Sequence, residues 1–269
     1  MTCEGCAMKA NLLESRRLLS FVLIGAFLWS LLNVNWARDL VHPGGWEALR
    51  QIVLALFQTQ LSPDILSAGV QASWTTIAYA VTGMTLAIAI GLPLGVIASG
   101  VLTRARWLRR LNVGAARFVL AFFRSIHELV WAWLFVAAVG LSPIAAVLAL
   151  GIPYGGILGR IYAELLQDVP EGPLRALRGA GASEWRAFWY GRLPMALPDM
   201  VSYTFYRFEC GIRSAAILSF VGLGGLGYQI QISLADLNYS RMWTFVLFLI
   251  LLVLLVGGWS GIVRRRLVV

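Results

Sequence analysis

The chain has 269 residues, 59% hydrophobic and 13% charged, with a formal net charge of +9 and a mean hydropathy of +0.76. No water-soluble fold of this length hides so much apolar side-chain surface, so lipid must be the solvent. The 22 basic residues lie mostly on short segments between apolar stretches, which makes them topology signals and excludes the nucleic-acid binding that a pI of about 10.1 would suggest in water.

An all-α membrane protein with six spans is expected. Six apolar stretches of about 20 residues are each long enough to cross a hydrocarbon core of about 30 Å. They are Leu18–Trp36, Trp74–Ser99, Phe118–Val139, Pro143–Tyr162, Met200–Val221 and Met242–Val263. Backbone groups in lipid must be satisfied within each segment, so these are helices. Barrel strands would alternate in polarity over about 10 residues, and these blocks are too long and uniform for that.

The first stretch follows Lys9, Arg16 and Arg17. It reads as a retained span, because Asn33-Val34-Asn35-Trp36 is too bulky and polar for signal cleavage. Cys3 and Cys6 form a C-x-x-C with no second pair, and Cys210 reads as a small packing residue. Next, Trp46, Leu49, Val53, Leu56 and Phe57 recur at helical spacing within Gly45–Phe57. Two readings stand there: a helix in the outer interface, or a connector packed on the spans. Residues 1–73 are thus the N-terminal tail, first span and connector, and 74–269 the core.

The second span is followed by the basic run Arg104, Arg106, Arg109, Arg110 and Arg117. With the N-terminus in the cytoplasm, this run joins Lys9, Arg16, Arg17, Arg160, Arg175, Arg178, Arg186, Arg192 and Arg264–Arg266 inside. Only Arg38, Arg50 and Arg241 fall outside. That asymmetry places both termini in the cytoplasm.

Two spans carry charges well inside their ends. In the third, Arg124, His127 and Glu128 are expected on one helix face. In the fifth, Glu209 and Arg213 stand four apart, while Arg207 lies on another arc near Tyr203 and Tyr206. Such charges face protein or a water-filled path. Arg124, Glu128, Arg207, Glu209 and Arg213 are therefore either an anion-guiding path or, as Arg124–Glu128 and Glu209–Arg213, ion pairs that lock helix packing. Gly211, Ser214 and Ala215 suit close helix approach.

Between the fourth and fifth spans, Asp168 to Pro198 is polar and helix-prone, with Arg175, Arg178, Arg186 and Arg192 beside Glu171 and Glu184. A structured loop on the inner side implies that something outside the membrane pushes on it. After the fifth span, Gly222, Gly224 and Gly227 fit G-x-G-x-x-G, but no strand precedes them and no acid follows about 20 residues on, so dinucleotide binding is rejected. Gly222, Gly224, Gly225 and Gly227 read as an outer-face turn, with or without an anion on its N–H groups. Lys9 is the only lysine, which excludes a P-loop. His42 and His127 are the only histidines and are far apart, so neither a metal cluster nor a nucleophile–base pair assembles. Enzymatic chemistry is not expected.

The polar loop resembles the coupling loop of binding-protein-dependent ABC importer permeases. Gly181-Ala182 stands at the family's glycine and Leu193-Pro194 at its L-P, while Arg175 or Ala176 occupies the place where the family commonly has glutamate, with Glu171 or Glu184 as candidate substitutes. Three further stretches resemble the phosphonate/phosphite branch: Arg124–Trp131, Tyr206–Ala215 and Phe220–Gly227. The resemblance runs from about Trp74 to the C-terminus. It implies a type I ABC importer permease in the bacterial inner membrane, with its coupling loop at about 163–199. It further implies a second copy of the chain, two cytoplasmic ATPase subunits that bind the ATP and magnesium, and a periplasmic substrate-binding protein. The chain itself would hold no cofactor, and its substrate would be a small phosphorus oxyanion. Other readings are a permease for an amino acid or metal chelate, an ion-coupled secondary transporter with the membrane charges as relay, and a non-transporting scaffold.

Overall fold

This computed structural model describes residues 4–33, 45–103 and 105–267. Cys3 and with it the C-x-x-C pair, the end of the first span at Val34–Trp36, Arg38, His42 and Arg104 lie outside the described residues. Every regular element among them is helical. The chain divides into two compact units at Leu54 and Ala55.

The first unit holds α1 (Glu4–Asn33) and nearly all of α2 (Gly45–Ala55). The apolar part of α1 is Arg17–Asn33, where Leu18, Phe21, Leu23 and Trp29 are all exposed, as a lipid-facing helix requires. The expected amphipathic segment is α2, on which Trp46, Leu49 and Val53 are exposed.

The second unit begins with α3 (Pro63–Ser99), a 37-residue helix of about 55 Å at 1.5 Å per residue. It starts at Pro63, not Trp74; proline, which has no N–H to place, suits the first helical turn, where N–H groups lack intrahelical acceptors. Then come α4 (Arg106–Ser125), α5 (Glu128–Val139) and α6 (Pro143–Asp168). Two short helices, α7 (Glu171–Gly179) and α8 (Glu184–Ala187), lead through a π-helical turn (Phe188–Arg192) into α9 (Leu193–Leu218). α10 (Leu226–Ala235) and α11 (Tyr239–Leu267) complete the chain. Three helices, α3, α6 and α11, are long and apolar enough to cross a membrane, and up to five spans result if each bent pair counts as one.

α6 forms the centre. Leu150, Tyr154, Leu158, Tyr162 and Leu166 are buried along its length, against Met84 and Ala87 of α3, Ala132 of α5 and Met200 of α9. Glycines permit the α3–α6 crossing: a Cβ on Gly91 would sit 3.0 Å from the Gly155 carbonyl, and one on Gly95 2.8 Å from that of Gly159. Apolar side chains gain little from leaving lipid for protein, so such backbone proximity replaces hydrophobic burial as the packing device. α11 is peripheral, with Leu251, Leu254 and Leu255 exposed.

One expected span is not a single helix. Phe118–Val139 breaks between α4 and α5, which meet at 87°. The Ser125 hydroxyl turns back to the Phe122 carbonyl at 2.8 Å, Ile126 is extended, and His127 caps α5 by accepting the Leu129 N–H on Nδ1. Across the elbow the Trp131 indole donates to the Phe123 carbonyl at 3.3 Å, one of the orphan acceptors at the end of α4. Arg124, His127 and Glu128 therefore do not share a helix face.

Candidate functional site

The loop after α6 is a folded unit. α6 runs to Asp168, past the expected loop boundary at 163, because Leu166 and then Val169 and Leu174 stay in the main core with Phe188. α7 ends in a Schellman motif: the Gly181 N–H reaches the Arg178 carbonyl and the Ala182 N–H the Leu177 carbonyl, both at 3.0 Å. Gly181 has φ +88° with open space around the missing Cβ. The turn thus needs glycine for its backbone conformation, not for room. Ser183 then caps α8 by accepting the Arg186 N–H, and Pro194 sits in the first turn of α9.

A charge network locks this turn to α6. Arg192 is buried, donating to the Leu166 carbonyl at 2.6 Å and to Glu171 at 2.5 Å. Arg178 donates to the other Glu171 oxygen at 3.0 Å and to Glu184 at 3.2 Å. Hydrogen bonds from Arg178, then from Arg192, hold the Glu171 carboxyl below its ordinary pKa, and Glu171 in turn raises that of Arg178. Both acids weighed as substitutes for the family glutamate are thus engaged inside the loop. The exposed surface of the loop includes Arg175, Ala176, Arg186, Trp185, Trp189 and Tyr190, the last at 80%. The three aromatics were not singled out from sequence, although W-R-A-F-W-Y in a polar loop is the kind of aromatic and arginine cluster that protein interfaces favour.

The membrane charges are arranged otherwise than the sequence spacing implies. Glu209 pairs with Arg264 of α11 at 3.4 Å, not with Arg213. Arg213 is exposed and, among the described residues, reaches only the Cys210 sulfur, at 3.5 Å. Four residues on one helix permit a pair but do not compel it, and the neighbouring helix supplies a competing cation. Glu128 does not pair with Arg124 either. It accepts the Ser214 hydroxyl at 2.7 Å, and Ser214 lies 2.9 Å from the Tyr154 hydroxyl. With its proton committed to Glu128, Ser214 accepts from Tyr154, so one hydrogen-bonded chain ties α6, α9 and α5.

Arg207 lies beside that chain. Its guanidinium is 5.6 Å from the Tyr154 ring centre and 5.9 Å from that of Tyr203, within cation–π range. Its buried Nε has no hydrogen-bond partner among the described residues. Arg124 lies apart, on a cavity shared with Arg117 and Arg160.

At the opposite end, Gly222, Gly224 and Gly225 all have positive φ. The turn is seated on α3: Tyr79 donates to the Leu223 carbonyl at 2.8 Å, and the Leu226 N–H donates to Thr76 at 3.0 Å. A Cβ on Gly227 would collide with the Ala216 carbonyl. Packing and backbone conformation account for these glycines, and one N–H at the start of α10 is already taken.

Residues 91–269, which include the elbow, the loop and the glycine turn, match the family described as "Binding-protein-dependent transport system inner membrane component". The chain belongs to this family. It is a non-catalytic membrane permease subunit of an ABC importer. It is 32% identical to the phosphite transport system permease protein PtxC of Stutzerimonas stutzeri, over 71% of this chain and 68% of that protein. It is 31% identical to the phosphate-import permease protein PhnE of Mycolicibacterium smegmatis, over 80% of this chain but only 40% of that one. Among solved structures, an inward-facing methionine transporter, MetNI, superposes with a TM-score of 0.67 at 23% identity, covering 77% of this permease and 99% of that chain. That likeness establishes the fold.

Proposed function

We propose that this permease carries a small phosphorus oxyanion (phosphite, a phosphonate or phosphate) inward, driven by separate ATPase subunits through the loop between α6 and α9. The observation that carries the reading is the similarity to phosphite and phosphate permeases over most of the chain. Arginine suits such a cargo, since its planar donor fork matches tetrahedral oxyanions bidentately. We assign that contact to Arg207, which lies in the fifth expected span beside Tyr154 and Tyr203 and whose buried Nε has no partner among the described residues.

In this reading two copies of the chain form the pathway. A periplasmic binding protein delivers the solute, and two ATPases hold ATP and magnesium beneath. Six spans carry both termini on the cytoplasmic side, counting α1, each bent pair, α3, α6 and α11 as one each. Residues 1–73 anchor and connect; 74–269 transport. The ATPase grips the exposed face of Arg175, Trp185, Arg186, Trp189 and Tyr190, while the Glu171–Arg178–Glu184–Arg192 network makes the loop rigid enough to pass its motion to α6 and α9. Reporter fusions at Leu61 and Asp236 should read periplasmic.

The test is the ligand preference of the partner binding protein, titrated calorimetrically with phosphite, methylphosphonate, phosphate, methionine and glycine betaine. Binding of a phosphorus oxyanion and not of the last two is expected. The reverse preference would remove the substrate reading and leave the permease assignment intact.

A further inference from the structure

A cavity of about 470 Å³ opens between α4 and α6, apart from the Arg207 cluster. Arg117, Ala121 and Arg124 line it from α4; Arg160, Glu164 and Gln167 line it from α6. Each set is spaced four and three residues apart, so each is one face of its helix. Gly156 and Gly159 bring the two helices together beside it: a Cβ on Gly156 would stand 2.8 Å from the Leu120 carbonyl, and one on Gly159 2.5 Å from the Leu120 side chain. Arginines from both helices therefore face one space.

Charge within it is unbalanced. Among the described residues on the lining, Glu164 is the only acid, and it is bound to Arg160 at 2.8 Å. Gln167 donates to the Ser99 carbonyl. Among the described residues, Arg117 and Arg124 have no carboxylate partner. Both guanidiniums are exposed, so repulsion between them, two turns apart on one helix, is partly screened, but they leave uncompensated positive charge on one wall of the cavity that an anion between them offsets. The size suits a small-molecule group, and the planar forks suit phosphate oxygens.

We propose that the α4–α6 cavity is a binding site for a phosphate-type oxyanion. Two sources share that chemistry: a free phosphorus oxyanion in solution, and the headgroup phosphate of an anionic phospholipid, for which basic pockets between spans on the cytoplasmic side are a known kind of site. The site rests on the charge of the cavity and does not require that the transported solute contain phosphorus.

The test uses the full-length chain with Cys3, Cys6 and Cys210 replaced by serine and with Ala121→Cys as reporter. It is reconstituted in nanodiscs of phosphatidylcholine alone or with phosphatidylglycerol, and labelling by a water-soluble maleimide is timed. Inorganic phosphate is added to the first sample. At about ten times its Kd, occupancy alone slows labelling about tenfold. Slowing by phosphate in phosphatidylcholine assigns the site to soluble oxyanions, and slowing only by phosphatidylglycerol assigns it to lipid. Either protection should disappear in Arg117→Gln/Arg124→Gln and weaken in Arg124→Gln alone, a milder change that breaks no ion pair. Equal labelling under all conditions overturns the proposal. So does protection that survives the double substitution, or an Ala121→Cys reporter that never reacts, since the cavity would then be closed.

Discussion

Replacing Arg192 by methionine should loosen the coupling loop without unseating the transmembrane core. Methionine preserves most of the buried volume, so the change isolates the guanidinium. The Leu166 carbonyl, 2.6 Å from Arg192, loses its donor inside the core, and an orphaned buried acceptor costs about 1–3 kcal/mol. The Glu171 contact adds less. Its carboxylate is 48% exposed and keeps Arg178, so about 0–1 kcal/mol is appropriate. A loss of about 2 kcal/mol raises the open fraction of the loop about 30-fold. Amide hydrogen exchange over residues 171–192 should accelerate by that order, with α3 and the middle of α6 unchanged. The pH dependence follows from the same pairs. Glu171 titrates below its ordinary value, so its contribution is whole above the ordinary carboxylate range and is lost as pH falls through the lowered value. Loop protection in the parent should therefore persist across neutral and mildly acid pH and fail only below that range. Unchanged exchange in Arg192→Met would refute the claim that this network holds the loop.

Gly181→Val forces a branched side chain to φ +88°, at about 1–2 kcal/mol; the protein should insert but uncouple ATP hydrolysis from transport, whereas Gly181→Asn, a residue that tolerates this region, should retain coupling. Arg264→Gln leaves Glu209 without its partner and should lower membrane abundance more than Arg213→Gln, and quantitative blotting showing the opposite order would restore the pairing expected from spacing. Arg207→Gln should lower uptake at unchanged abundance, with Arg207→Lys intermediate because it keeps the charge and loses the fork; full uptake in Arg207→Gln would remove it from the pathway.

Long-range character was legible in the sequence where a single physical requirement dominates. Lipid demands long apolar helices, so α3, α6 and α11 appear close to where the hydropathy places them. Gly181 was located by the resemblance to the coupling loop, and its αL conformation at φ +88° between α7 and α8 is what the structure adds. The α4–α5 elbow was missed because apolar composition runs straight through it. Its signal was polar and local: Ser125 and His127 as backbone partners, with Glu128 opening a new helix. Ion pairing was misread for a related reason. Spacing within one helix ranks intrahelical partners, whereas Glu209 meets Arg264 from 55 residues away through an α9–α11 contact that no local pattern encodes. Ser214 was seen only as a small packing residue, and its role between Tyr154 and Glu128 required three helices to be placed.

The most direct test of the central claim is solute uptake into proteoliposomes containing this permease, its ATPase and its binding protein, with ATP supplied on the ATPase side. The account predicts ATP-dependent accumulation of phosphite, phosphonate or phosphate that disappears when Gly181→Val replaces the parent chain. Accumulation without ATP, or ATP-driven accumulation of an amino acid or osmolyte with phosphorus oxyanions ignored, would contradict it.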